Sequence, residues 1–102
     1  MKMASDPTFR AVAILKAYSG RERELRAFMA EVLPEIRRVA GLRKLEASGS
    51  LSDPAHCMLY YCWDSPADSE RYMAGALYAG IAPRLAALVE EHLLMVGELF
   101  SE

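Results

Sequence analysis

The run His56-Cys57-Met58-Leu59-Tyr60-Tyr61-Cys62-Trp63 constrains the fold more than any other part of the chain. Beyond His56 it is aromatic and apolar throughout, which reads as a strand buried on both faces. Side chains alternate along a strand, so Leu59, Tyr61 and Trp63 share one face while Met58, Tyr60 and Cys62 share the other. At 102 residues the chain makes one domain. A lone domain of this size buries only about 60–65% of its unfolded surface. Yet 53% of its residues are hydrophobic, against roughly 45–50% in soluble domains. A strand buried on both faces in so short a chain calls for a second subunit, a ligand cavity, or both.

The rest of the sequence supplies the layers. Residues 1–8 read as a flexible tail and residues 9–102 as a single domain. Phe9 to Tyr18, rich in small and β-branched apolar residues, reads as the first strand. Ser19 and Glu22 stand at capping-box spacing before a helix. Leu25, Phe28, Met29, Val32, Leu33 and Ile36 then recur at three- and four-residue steps, which gives the helix one apolar face. Pro34 inside it removes a backbone donor and predicts a kink near Ala30. Gly41 suits a left-handed cap. Leu42 to Ala47 reads as the second strand and Ser48 to Pro54 as a loop. After the third strand, Ser65-Pro66-Ala67-Asp68 carries a cap, a first-turn proline and an acid at the positive helix end. Gly75 and Gly80 divide the helical region beyond this cap into two short helices, the later one with Leu77, Ile81, Leu85 and Leu88 on a stripe. Leu93 to Phe100 closes the chain as the fourth strand. The order βαββααβ is the ferredoxin-like α+β arrangement, an antiparallel four-stranded sheet with helices on one face.

Composition excludes several classes. A net charge of −2 and the absence of a basic stripe give nucleic acid no electrostatic footing. The longest apolar runs, Cys57 to Trp63 and Ala11 to Leu15, fall far short of the ~20 residues that span a bilayer. No secretory signal is legible, and Cys57 and Cys62 lie on opposite faces of one strand and do not pair, which fits a reducing, cytoplasmic setting. Neither His56 nor His92 falls in a metal-ligand spacing, so no metal is expected. His92 reads as a helix-end residue. No phosphate-cradling glycine loop or nucleophile elbow is present.

The segment Met58-Leu59-Tyr60-Tyr61-Cys62-Trp63-Asp64-Ser65-Pro66 resembles the third-strand motif of the antibiotic-biosynthesis-monooxygenase family, an aliphatic-Tyr-x-x-Trp run leading into a short helix-opening turn. The turn Ser19-Gly20-Arg21-Glu22 and the passage Pro34-Glu35-Ile36 to Gly41-Leu42-Arg43 are similar to that family as well. The likeness spans about residues 9–100 and rests largely on element order. It implies a dimeric α+β barrel in which two sheets pack face to face. It also implies oxidation of a small aromatic or quinol-like substrate by O₂ without metal, flavin or other cofactor. Where many members of the family carry Glu, His, His and Asn, this chain has Tyr61, Tyr72, Leu77 and Leu59.

Strand alternation, helix spacing and the resemblance together single out residues for chemistry. Trp63 and Tyr61 offer an indole N–H and a phenol O–H to a flat oxygenated ligand. Arg84, three residues after Ile81 and four before Leu88, points close to the apolar stripe and can steady a phenolate or enolate anion in a dry pocket; a guanidinium snorkelling to water is the alternative. Leu59, Tyr72 and Tyr78 are expected to line the substrate space, or to pack as core. Two functions stay open: a cofactor-independent monooxygenase, and a dimeric small-molecule-binding or structural module on the same fold.

Overall fold

A computed structural model describes residues 9–98. β1 (Phe9–Ala17) leads into α1 (Glu22–Ile36), followed by β2 (Leu42–Gly49), β3 (His56–Trp63), α2 (Pro66–Met73), α3 (Ala76–Ala86) and β4 (Val89–Glu98). The strands form one antiparallel sheet in the order β2-β3-β1-β4. This is the expected ferredoxin-like α+β fold. The expectation for residues 1–8 lies outside the described residues, as does the end of the fourth strand at Phe100.

Register explains why one face of the sheet is core. Ala11, Ala13, Leu15 and Ala17 of β1 are all buried, and Ala13 pairs with Leu59 while Ala11 pairs with Tyr61. Small residues on the central strand let the helices approach. Leu25, Phe28, Met29, Val32 and Ile36 of α1 cover that face, joined by Ile81 and Leu85 of α3.

Local signals fared unequally. Ser65 caps α2 as its spacing predicts: its Oγ accepts from the Asp68 amide at 3.3 Å and donates to the Asp68 carboxylate at 2.8 Å. Ser19 does not cap α1. Gly20 takes a left-handed turn at φ 86°, which leaves Ser19 ahead of the helix, and the flanking residue is Arg21, without a side-chain cap. Arg21 instead pairs with Glu24 at 2.9 Å in the first turn. Pro34 sits in the last turn of α1, which ends at Ile36; it has no N–H to give the Ala30 carbonyl, so one i→i−4 bond is missing near the end of the helix. Gly41 is left-handed at φ 85°, and a Cβ there would overlap the Asp68 carboxyl group. Glycine is thus required twice over, by backbone conformation and by the close approach of α2.

The fourth strand starts earlier than its apolar run suggests. α3 stops at Ala86, and Leu88 enters the core from the following turn, its carbonyl accepting from the Tyr18 amide at 2.9 Å. β4 therefore begins at Val89 and takes in His92, which is a strand residue and not a helix-end one.

The opposite sheet face carries no helix. Across it, Val12 stands between Tyr60 and Met95, and Ile14 between Met58 and Leu93. Met58, Leu93 and Met95 are exposed. Tyr60 accepts a hydrogen bond from Arg10 Nε at 2.8 Å on this face.

Candidate functional site

A chamber of about 50 Å³ lies between the sheet and the helices. Its floor is Ala11 and Ala13 of β1 with Leu59, Tyr61 and Trp63 of β3; its roof is built from α1, α2 and α3, and His92 and Leu94 of β4 stand at one side. The two alanines matter because they leave room that a larger residue would fill. Leu15 pairs with His92 and Ala13 with Leu94, so both β4 residues project to the helix side of the sheet.

Four aromatic rings run through the site as a chain. Tyr61 and Trp63 stack with centroids 6.1 Å apart and planes 7° apart. Trp63 tilts against Tyr72 at 5.7 Å, and Tyr72 meets Tyr78 edge-on at 5.4 Å. Such pairs hold ring orientation by quadrupole geometry as well as by burial. The polar tips of Tyr61, Trp63, Tyr72 and Tyr78 form no hydrogen bond with another described residue. Among the described residues, no buried side-chain nitrogen or oxygen lacks a partner. The tips therefore reach space that water or a ligand can share.

Burial pushes the Tyr61 hydroxyl up to about 12, with the nearby Tyr78 adding to the effect. Tyr72 is displaced in the same direction, mainly by desolvation and further by Tyr61 and Tyr78. At neutral pH these groups are donors, suited to an oxyanion and unable to act as bases. Their titration also ties stability to pH. Between the ordinary tyrosine value near 10 and the folded value of about 12, the unfolded chain releases protons that the folded chain retains. Stability is full below pH 10 and falls as pH rises through that window. An alkaline titration followed by phenolate absorbance should show Tyr61 and Tyr72 ionising above the ordinary tyrosine value near 10; ionisation of both at that ordinary value in the folded protein would contradict the burial described.

Of the residues expected to form the site, Trp63, Tyr61, Leu59, Tyr72 and Tyr78 come together around the chamber. Arg84 does not. Its guanidinium turns from the sheet toward α1, bonds Glu31 at 2.8 and 3.1 Å, and lies 4.6 Å above the Phe28 ring. The side chain is 56% exposed, so its charge stays in water, which is the snorkelling alternative. An anion in the chamber cannot rely on Arg84. The stripe spacing misled because the α3 surface next to Ile81 and Leu85 packs against α1 as well as the sheet.

His92 was missed. A strand drawn from Leu93 leaves it outside, although His92, Leu94 and Val96 alternate on one face; the apolar residues between them hide that period. Ser69, Met29 and Leu85 also line the chamber. Among the described residues no group of three or more His, Cys, Asp or Glu is placed to hold a metal ion. Both cysteines are free thiols. No helix among the described residues is long and apolar enough to cross a membrane.

The fold recurs among solved structures. A protein from Pseudomonas aeruginosa matches with a TM-score of 0.85 at 16% identity, over 98% of this chain and all of the other. A candidate antibiotic biosynthesis monooxygenase from Deinococcus radiodurans matches with a TM-score of 0.84 at 19% identity, over 92% of this chain and 94% of that one. A further structure named antibiotic biosynthesis monooxygenase gives 0.83 at 12% identity, covering 91% and 99%. No family profile and no curated protein matches the sequence. The chain thus has the ferredoxin-like α+β fold shared with proteins of the antibiotic-biosynthesis-monooxygenase type.

Proposed function

We propose that the protein is a cofactor-independent monooxygenase that acts on a small, acidic aromatic such as a quinol or anthrone. The observation that carries this reading is the chamber itself: a wall of four aromatic rings with free polar tips, and one imidazole at its side. The likeness to structures named as monooxygenases supports it.

The chemistry needs little from the protein. An electron-rich substrate anion passes an electron to O₂; the radical pair combines into a hydroperoxide, which loses water to leave a carbonyl. For an anthrone, a CH₂ carbon and O₂ become C=O and H₂O, so atoms and electrons balance without a further reductant. The site has to take the first proton, steady the oxyanion and keep water out. His92 takes the proton. Tyr61 and Trp63 donate to the oxyanion, a role consistent with the high Tyr61 pKa. Rings of the substrate stack along Trp63 and Tyr72.

Oxygen consumption with a panel of quinols and anthrones tests this. Wild type is expected to exceed the uncatalysed rate on at least one substrate, and His92→Gln to lower that rate about 100-fold or more, the scale of a positioned base. No turnover across the panel would remove the activity.

A non-catalytic structural module on the same fold is the second reading, favoured by one observation. The chamber of about 50 Å³ is smaller than the ~150 Å³ cavity that accepts benzene, so any aromatic ligand must displace a side chain on entry.

The same proposal includes a homodimer formed through the bare sheet face. Val12, Ile14, Met58, Leu93 and Met95 make a continuous apolar surface there, with Tyr60 and Arg10 bonded beside it. A second copy packed sheet to sheet is the partner that such a self-complementary surface suits.

A further inference from the structure

A groove of about 250 Å³ lies on the other side of α1, between that helix and the ends of β2 and β3. Met29 and Leu59 line both this groove and the aromatic chamber. Those two side chains, 7% and 4% exposed, are therefore the wall between them. Half of that wall is soft. Methionine is unbranched, with several rotatable bonds, and re-packs at low cost. Ligand pockets start at about 300 Å³; neither void reaches that size alone, and the two joined do.

The groove is apolar along Leu25, Leu33 and Cys57 and carries charge only at Glu22 and Arg26. Arg26 makes no hydrogen bond or ion pair with another of the described residues. Its guanidinium lies over Gly49, where an added Cβ would come within 2.9 Å of Nη2. Its field reaches into the groove: burial raises the Cys57 thiol pKa, and Arg26 is the opposing influence. Glu22 stands one helical turn before Arg26 on the same helix face. A monoanion suits that pairing better than a dianion such as phosphate.

We propose that chamber and groove are two arms of one site for an amphipathic aromatic carboxylate, with the ring beside Tyr61 and Trp63, the apolar linker where Met29 now stands, and the carboxylate on Arg26. This rests on the chamber being the ligand site proposed above, and it adds the substrate's acidic tail and the Met29 gate.

Trp63 is the only tryptophan, so its fluorescence reports ligand in the chamber alone. Naphthalene-butanoate and naphthalene-butanamide, equal in shape and different in charge, are the probes. Wild type should bind the acid about 10-fold more tightly, as a charge-assisted bond in a partly dry groove allows. Arg26→Gln, at an exposed position, should abolish that preference and leave amide affinity unchanged. Met29→Ala should tighten both probes at least 3-fold by removing the wall. An acid preference that survives Arg26→Gln overturns the proposal, as does the absence of Trp63 quenching by either probe. Unchanged affinities in a folded Met29→Ala protein overturn the gate. Oxygen consumption separates the two readings. Turnover of an anthrone together with an Arg26-independent probe preference sinks this inference alone. Arg26-dependent binding without any oxygen uptake sinks only the oxygenase activity.

Discussion

Trp63→Ala is expected to lower the free energy of unfolding by about 3–5 kcal/mol, the range for deleting a large buried aromatic. Trp63 is 1% exposed, among the most deeply buried large side chains of the molecule. It sits at the end of β3, opposite Phe9 on one side and Leu42 on the other. The stacked ring of Tyr61 and the tilted ring of Tyr72 both lean on it. Truncation would leave a void continuous with the chamber, and the rigid β-sheet beneath would prevent collapse. For a domain whose total stability is about 5–15 kcal/mol, this is a fifth or more of the whole. Each kcal/mol lowers the midpoint by about 4–8 °C at this size. Urea and thermal melts followed by circular dichroism measure it, since the variant has no tryptophan to report. Trp63→Phe keeps a ring in the stack and should lose far less. A loss below about 1 kcal/mol for Trp63→Ala would mean that the ring is not packed as described.

The second large effect concerns the bare sheet face. Met58→Glu combined with Met95→Glu places two carboxylates in an apolar surface whose neighbours are Ile14, Val12 and Leu93. Met58 and Met95 are 48% and 59% exposed in the single chain, so neither substitution should disturb the fold. In a sheet-to-sheet dimer each copy would bury its new charges without partners, at a cost of several kcal/mol. Four kcal/mol is roughly a 1000-fold rise in Kd. Sedimentation velocity at micromolar protein should therefore show wild type as a dimer and the double variant as a folded monomer. Wild type sedimenting as a monomer throughout, or a double variant that remains dimeric, would contradict a sheet-to-sheet interface.

Element order and strand faces were legible because they follow from alternation. The odd-numbered residues Leu59, Tyr61 and Trp63 turn to the helices as their period requires, and Ser65 caps α2 through a local pattern that needs no tertiary partner. The failures arose where neighbours in space decided. Ser19 has the spacing of a cap, yet Gly20 turns the chain before the helix starts. Arg84 lies beside an apolar stripe, and only the approach of Glu31 from α1 shows that its charge faces outward. His92 was hidden at the start of a strand whose exposed apolar residues obscure the two-residue period. The groove beside Arg26 could not be read at all, because its walls come from separate elements that meet only in the folded chain.

An aromatic ligand in the chamber beneath β3 must be felt by Trp63. The single indole N–H of that residue gives one nitrogen–proton cross-peak, resolved from the backbone, and its ring lies in the chamber wall. Titration of an anthrone into the ¹⁵N-labelled protein should shift that peak saturably, together with the ring signals of Tyr61 and Tyr72. An indole peak that stays in place at saturating anthrone, with the protein folded, would contradict an aromatic-binding chamber.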